Sequence, residues 1–190
     1  MAKLYLALIH APVYNKNREI VATSVTNLDI HDIARAAATY GVENYFIVHP
    51  APAQQDLTRR VMSFWREGAG AAYNPYRWEA LARVRLAATL AQVLAEIRAS
   101  APERRVYTVA TAAARTEGRA VLTTYADLRL RLTAETDEAY LLLFGTGWGL
   151  PRQTTDEADF ILPPLWGEGE YNHLSVRSAA SVILDRLRGR

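Results

Sequence analysis

Short apolar runs separated by longer segments with helical spacing form the main pattern of this chain. The runs cover residues 4–9, 45–48, 106–109, 140–144 and 160–162. Apolar runs of this length, bounded by polar or helical segments, indicate buried β-strands. Residues 83–86 alternate arginine with valine and leucine, which predicts a half-exposed strand.

Helix starts are marked by a threonine that precedes an acid or an amide by three residues. The pairs are Thr26 with Asp29, Thr89 with Gln92, and Thr124 with Asp127. In this pattern the threonine side chain caps the first turn of a helix. Helices and strands therefore alternate, which predicts an α/β fold: a mostly parallel sheet with helices on both faces and ligand sites at the carboxyl ends of the strands.

The chain shows no internal repeat or linker that would divide it, so we expect a single domain spanning residues 1–190. Residues 63–76 are rich in glycine, alanine and aromatic side chains and are predicted to form a long loop. The apolar run at the N-terminus is too short to cross a membrane and has no signal-peptide cleavage site, which predicts a cytoplasmic protein.

The composition narrows the possible chemistry. The chain contains no cysteine, which excludes disulfides, thiolate metal ligands and a cysteine nucleophile. The four histidines show no metal-binding spacing, so no metal site is predicted. The net charge is only +2, but the basic residues are almost all arginine, which suits phosphate contacts and base stacking. Arginine-rich coding or a heat-adapted surface explains this equally well.

Residues 141–151 follow a buried strand and contain three alternating glycines, Gly145, Gly147 and Gly149. Glycines at such positions let the backbone approach a ligand closely, so we expect a nucleotide-like ligand there. The segment is not the dinucleotide fingerprint, because Pro151 and a polar loop follow instead of a helix. A glycine-rich turn that binds nothing remains the alternative.

Two further segments carry candidate chemistry. Residues 161–176 run from a buried strand through a loop into the last helix, and their backbone amides are candidate ligand donors. Residues 25–35 place Asp32 and Arg35 about one turn apart on a predicted helix. In the simplest interpretation these two side chains form a surface ion pair.

Together these segments resemble the three motifs of the SPOUT superfamily of RNA methyltransferases, and most of all a small, stand-alone bacterial family within it. Residues 33–37 with Gly41 and Val42 resemble the first motif, and Arg35 falls on its arginine. Residues 144–150 resemble the second. Residues 162–163, Gly167 and residues 174–179 resemble the third, with serine where the ribose-methylating branch usually has asparagine.

The resemblance implies S-adenosylmethionine (SAM) as cofactor, a C-terminal trefoil knot and a homodimer formed through the knot region. The backbone of three loops would hold the cofactor with little help from ionisable side chains. The implied cofactor-binding residues are Ala110, Thr111, Phe144, Gly145, Gly147, Gly149, Leu150, Leu162, Pro163, Leu165, Asn172, Leu174 and Ser175.

The resemblance also implies an RNA substrate, either tRNA or rRNA, methylated on a base or on a ribose. Arg35 would hold a phosphate or orient the acceptor, because arginine stays protonated. Asp32 is the predicted catalytic carboxylate, while Asp29 fits a helix cap better. The predicted RNA-binding residues, chosen for stacking and phosphate contact, are Lys16, Arg18, Arg35, Trp65, Arg66, Tyr73 and Arg77.

Two other classes of function compete with an active methyltransferase. An RNA-binding or regulatory protein could keep the knotted fold without transferring methyl groups. A nucleotide-binding metabolic enzyme of the doubly wound type is disfavoured, because no strand-to-helix glycine fingerprint follows residues 4–9.

Overall fold

A computed structural model of the chain describes residues 1–67, 69–113 and 119–190. Seven strands form one sheet, and two short strands form a hairpin. The sheet strands are β1 (Lys3–Ile9), β4 (Tyr45–Val48), β5 (Val84–Ala87), β6 (Arg105–Ala110), β7 (Val121–Leu122), β8 (Glu138–Gly145) and β9 (Phe160–Ile161); the hairpin strands are β2 (Val13–Tyr14) and β3 (Ile20–Val21).

All neighbouring strands of the large sheet are parallel, in the order β5-β4-β1-β8-β6-β9-β7. The central strands β1, β4 and β8 are buried on both faces, which explains their continuous apolar sequences. The edge strand β5 alternates buried Val84 with exposed Arg85, as its sequence predicted. The predicted mostly parallel sheet is confirmed.

The described helices are α1 (Asn27–Thr39), α2 (Pro52–Arg66), α3 (Ala69–Tyr73), α4 (Pro75–Leu81), α5 (Leu90–Ser100), α6 (Tyr125–Thr133), α7 (Arg152–Asp156) and α8 (Val176–Arg188). The predicted threonine caps are confirmed at Thr26, Thr89 and Thr124, whose hydroxyls accept from the backbone N–H three residues later. Among the described helices, none is both long and apolar enough to cross a membrane.

The helices cover both faces of the sheet because β1 alternates its side chains between two cores. Leu4, Leu6 and Leu8 pack into a cluster that also holds the buried residues of α1, α6 and α8. Tyr5, Ala7 and Ile9 point the other way and pack with the buried residues of α5. This alternation is the geometric consequence of the two-residue period of a strand.

The predicted loop over residues 63–76 is wrong in the part that the structure describes; residue 68 lies outside it. The helix α2 continues to Arg66, α3 ends at Tyr73, and α4 begins at Pro75 with Asn74 as its cap. The glycine- and alanine-rich composition of residues 63–76 obscured these helices, although the apolar and polar residues of α2 are well separated on its two faces.

Candidate functional site

Three loops meet at the carboxyl edge of the adjacent strands β8, β6 and β9. Hydrogen bonds tie the loops where they leave the sheet. Thr111 donates to the carbonyl of Leu143 through its N–H (3.1 Å) and its Oγ1 (2.9 Å), and the N–H of Leu162 donates to the carbonyl of Ala110 at 3.0 Å. The structure therefore brings the predicted cofactor segments together. The strand order also reverses here, since β4 and β5 lie on one side of β1 and the later strands on the other, and such reversals are where α/β sheets bind ligands.

The glycine turn, residues 145–149, is a tight reversal after β8. The N–H of Gly149 donates to the carbonyl of Thr146 at 3.0 Å, and Thr146 N–H donates to the carbonyl of Ile9 at 3.2 Å. Gly147 has φ +57° and Gly149 has φ +96°, conformations that L side chains rarely adopt. The glycines are thus required by the backbone path of the turn.

Gly147 and Gly149 differ in their surroundings. A Cβ on Gly147 would lie 2.8 Å from the carbonyl oxygen of Tyr14. The hairpin β2–β3 approaches the turn here, and Tyr14 exchanges two backbone hydrogen bonds with it: its carbonyl accepts from Trp148 N–H (2.8 Å), and its N–H donates to the carbonyl of Gly149 (3.0 Å). Gly147 therefore makes room for the hairpin. At Gly149 the Cβ position is open, with nothing within 4 Å.

The loop over residues 162–175 is anchored by a few contacts. Leu162 and Leu165 are buried in the core. The hydroxyl of Tyr125 donates to the carbonyl of Pro163 at 3.0 Å, and Asn172 Nδ2 donates to the carbonyl of Ala113 at 2.9 Å. Within the described ranges, no backbone N–H of residues 163–174 donates to a backbone carbonyl. The loop therefore has backbone donors and acceptors that a ligand can use.

Ser175 and Leu174, two predicted cofactor-binding residues of this loop, have different surroundings from Leu162 and Leu165. Ser175 is the N-cap of α8, and its hydroxyl accepts from the N–H of Ser178 at 3.2 Å. Leu174 is exposed, in contrast to Leu162 and Leu165. Ser175 thus fixes where the helix begins, and only its backbone is left for a ligand.

These loops fit a nucleoside-like cofactor. Phe144 and Leu150 are buried in the two cores on either side of the sheet, while the glycine turn and the loop backbone supply polar groups. Pockets of this kind, apolar with a few convergent polar groups, are typical of cofactor sites. Leu162, Leu165 and Asn172 would form the opposite wall.

Arg177 is a functional candidate that the sequence analysis missed. Its guanidinium lies 3.3 Å from Asp29 Oδ1 through Nη1 and 3.3 Å from Asp32 Oδ2 through Nε. It therefore joins the first turn of α8 to the first turns of α1. The expected ion pair between Asp32 and Arg35 is wrong, since Asp32 pairs with Arg177 instead. Asp29 is buried, and its carboxylate also accepts from the hydroxyl of Thr26 at 2.6 Å.

Arg35 is exposed on α1 and, within the part of the chain that the structure describes, has no carboxylate within 4.0 Å. One turn before it, His31 packs edge-on against Trp65 with ring centroids 5.6 Å apart. The guanidinium of Arg77 lies over the Trp65 ring, 4.3 Å from its centroid. Burial and the neighbouring cations lower the pKa of His31, so this ring is neutral at pH 7.

The predicted RNA-binding residues fall into two groups. Lys16 and Arg18 lie on the hairpin β2–β3 and are exposed. The rest lie on α1 to α4, where Trp65 is half-buried in the His31 cluster and Arg66 and Tyr73 are exposed. The exposed aromatic residues Phe64 and Tyr76 also belong to this second surface and were not among the predicted RNA-binding residues.

A buried histidine lies beneath the site. His10 follows β1 directly and is 1% exposed; its ring centroid is 6.2 Å from that of His49, which ends β4. Burial lowers the pKa of His10 to about 4. Both imidazoles directly follow strands, His10 after β1 and His49 after β4.

Comparison with known proteins identifies the family. The sequence profile described as "SAM-dependent RNA methyltransferase" matches residues 3–189. This chain belongs to that family. It is therefore a methyltransferase that uses SAM and acts on RNA, as the three motifs predicted.

Relatives of this methyltransferase differ in length. An uncharacterized protein of Aquifex aeolicus (strain VF5) is 41% identical over 187 residues, covering 98% of this chain and 89% of the relative. A tRNA (guanine-N(1)-)-methyltransferase of Oleidesulfovibrio alaskensis is 40% identical over 186 residues. The match covers 98% of this chain but only 42% of that protein, so this methyltransferase spans less than half of the relative's length.

Solved structures share the fold. The crystal structure of TrmJ from Z. mobilis ZM4 superposes with a TM-score of 0.61 at 16% identity, covering 98% of this chain and 69% of that one. The A. aeolicus TrmH/SpoU tRNA modifying enzyme superposes with a TM-score of 0.54 at 16% identity, covering 99% and 75%. The predicted SPOUT fold is confirmed by these likenesses.

The burial of His10 predicts a pH-dependent stability. The unfolded chain protonates this residue below about pH 6.5, whereas the folded protein does so only near pH 4. The contribution of neutral His10 is therefore present above pH 6.5 and is lost as the pH falls towards 4. Urea unfolding should show that wild type loses about 3 kcal/mol more than His10→Asn over this range.

His173→Asn is the matched control, because His173 is exposed. Its free energy of unfolding should follow the wild-type curve. If the curves of wild type and His10→Asn run parallel from pH 6.5 to 4, the ring of His10 is not held neutral by burial.

Proposed function

We propose that this methyltransferase modifies tRNA, as a single-domain cytoplasmic enzyme that works as a homodimer. The observation that carries the proposal is the match to two tRNA (guanine-N(1)-)-methyltransferases at 40% and 41% identity over nearly the whole chain. Because the match covers 42% of each relative, the guanine-N1 activity is not assigned to the shared part. Both relatives are named for activity on tRNA. In this proposal the part that matches this chain and the remaining part of each relative would act on the same tRNA.

The cofactor lies, in this proposal, at the carboxyl edge of β8, β6 and β9. The backbone of Ala110, Thr111 and the glycine turn would face one side of it, and Leu162, Leu165 and Asn172 the other. SAM supplies an activated methyl group on a sulfonium. The chain's contribution is then to hold and align the reactants, and alignment can provide effective molarities on the order of 10⁵ M.

Arg35 would contact the RNA on the exposed face of α1. Within the described residues Arg35 has no carboxylate partner, which supports this role, since a paired guanidinium would have to break an ion pair to bind phosphate. Asp32 was predicted as the catalytic carboxylate, and its ion pair with Arg177 orients its side chain. We retain Asp32 as the proton acceptor of the proposal, with Arg177 holding it in place.

The RNA would run along two surfaces. The arginines and aromatic rings of α1 to α4, including Arg66, Tyr73 and the Trp65–Arg77 cluster, suit stacking and phosphate contacts. Lys16 and Arg18 on the hairpin would add phosphate contacts close to the glycine turn.

We also infer that the C-terminal segment is threaded through the chain as a knot. Strand β9 lies between β6 and β7 in the sheet, although both of those strands precede it in the sequence. The segment that leaves β9 is bound to the earlier segment through Leu162, Pro163 and Asn172. A crystal structure in which residues 162–175 pass outside the loop between β6 and α6 would contradict the knot.

Exposed apolar side chains around these loops support a homodimer. They include Trp148, Trp166, Leu174 and Leu122, which are 61%, 57%, 52% and 71% exposed. Apolar side chains exposed together near one edge are typical of an interface. A second copy of the chain would cover them.

Cofactor binding tests the proposed pocket. Gly149→Ala should weaken SAM binding about tenfold or more, because a side chain at φ +96° strains the turn that faces the cofactor. Isothermal titration measures the effect. Gly41→Ala is the matched control, since Gly41 also has positive φ and open space but ends α1. Equal SAM affinity in both variants and wild type would remove the glycine turn from the pocket.

Methyl transfer tests Arg35. With tRNA and labelled SAM, Arg35→Ala should lower kcat/KM about 100-fold while SAM affinity stays unchanged, because an ion-assisted contact to the reacting RNA is lost. Nucleoside analysis of the product shows whether a base or a ribose carries the methyl group. Arg98→Ala, an exposed arginine on α5, is the control. If wild type binds SAM but transfers no methyl group to tRNA, the tRNA proposal is wrong.

Light scattering tests the dimer. Wild type should elute as a dimer, and Trp166→Glu should shift it towards the monomer, since a charge would be buried at the interface. Trp78→Glu, an exposed tryptophan on α4, should remain dimeric. A monomeric wild type at all concentrations would contradict the proposal.

A further inference from the structure

A chain of hydrogen bonds connects the buried end of β1 to the glycine turn. His10 Nδ1 lies 3.1 Å from Thr23 Oγ1, and Thr23 Oγ1 lies 2.5 Å from Thr146 Oγ1. Thr146 Oγ1 is also 3.2 Å from the carbonyl oxygen of Ile9. The three side chains come from β1's end, the segment after the hairpin, and the turn itself, so the chain joins three separate parts of the edge.

Thr23 contacts the turn at two consecutive residues. Its hydroxyl meets Thr146, and its Cγ2 lies 3.4 Å from where a Cβ on Gly147 would stand. The backbone N–H of Thr23 donates to the carbonyl of His10 at 2.9 Å. The backbone of Thr23 is therefore held by His10, and its side chain packs against the glycine turn.

The tautomer of His10 affects the direction of this chain. If His10 carries its proton on Nδ1, it donates to Thr23, Thr23 can donate to Thr146, and Thr146 donates to the carbonyl of Ile9. If the proton is on Nε2, Thr23 donates to His10 and Thr146 donates to Thr23. The carbonyl of His10, 3.4 Å from Thr23 Oγ1, is a second acceptor for the Thr23 hydroxyl.

The tautomer of the His10 ring therefore affects the hydrogen bonds of the glycine turn through Thr23 and Thr146. Its Nε2 is buried and has no hydrogen-bond partner within the described residues. A buried polar atom left without a partner destabilises the fold, so keeping an imidazole here has a cost in stability. An apolar residue would fill the same space without that cost.

We propose that His10 and Thr23 are positioning residues that set the conformation of the glycine turn through Thr146, and so determine how tightly SAM is held. The inference rests on the proposed placement of the cofactor at this turn. It assigns no contact between His10 and the substrate, since the ring is buried.

Titration of SAM into four variants tests the inference. Thr146→Val and Thr23→Val keep the shape of the side chain but remove the hydroxyl, and each should weaken SAM binding about tenfold. Thr146→Ser should bind as wild type does. The double variant should bind no more weakly than either single variant, because removing one link already breaks the chain.

A structural role alone would give a different result. Thr58→Val, which removes a buried hydroxyl within α2, is the matched control and should leave SAM affinity unchanged. In methyl transfer, Thr23→Val and Thr146→Val should each raise the KM for SAM, while kcat changes little. A melting temperature within a few degrees of wild type shows that the turn, and not the whole fold, is affected.

The outcomes separate the inference from the proposal beneath it. If wild type fails to bind SAM, the proposed cofactor site is wrong. If wild type binds and Gly149→Ala does not, while both valine variants bind within twofold of wild type, the site stands and the positioning role is wrong. If Thr146→Val does not fold, Thr23→Val alone decides, because Thr23 lies in a half-exposed segment.

Discussion

The parallel pairing of β8 between β1 and β6 is the interaction on which the rest of the molecule depends. Its register places Gly145 beside Ile9 and Leu143 beside Ala110. Because parallel strands end at the same edge, the chain must leave the sheet at neighbouring points, and the glycine turn, the segment after β6 and the segment after β9 are forced together. The meeting of these three loops is therefore a consequence of the strand pairing.

Two ionisable groups near this edge have fixed surroundings. Arg177 joins the first turn of α8 to the two carboxylates at the start of α1. Burial keeps His10, directly after β1, neutral at pH 7. Ion pairs therefore tie the last helix to α1, while the buried end of β1 carries no charge.

Most of the fold followed from the sequence, since buried parallel strands and threonine caps leave strong local signals. The helices over residues 52–81 did not, because α3 is short and residues 63–76 are rich in glycine and alanine, which favours a loop. The cofactor loops were predictable as loops. The contact of Tyr14 with the glycine turn and the pairing of Asp32 with Arg177 were not, because both join residues more than 130 positions apart and depend on the folded topology.

The most direct test of the account is a crystal structure of the protein with S-adenosylhomocysteine, the product of methyl transfer. The account predicts that the ligand lies against the backbone of Gly145, Gly149 and Leu162, with Arg35 at the open side. A ligand bound elsewhere, for instance in the apolar groove lined by Ile9, Val48 and Leu90 beyond the ends of β1 and β4, would contradict it.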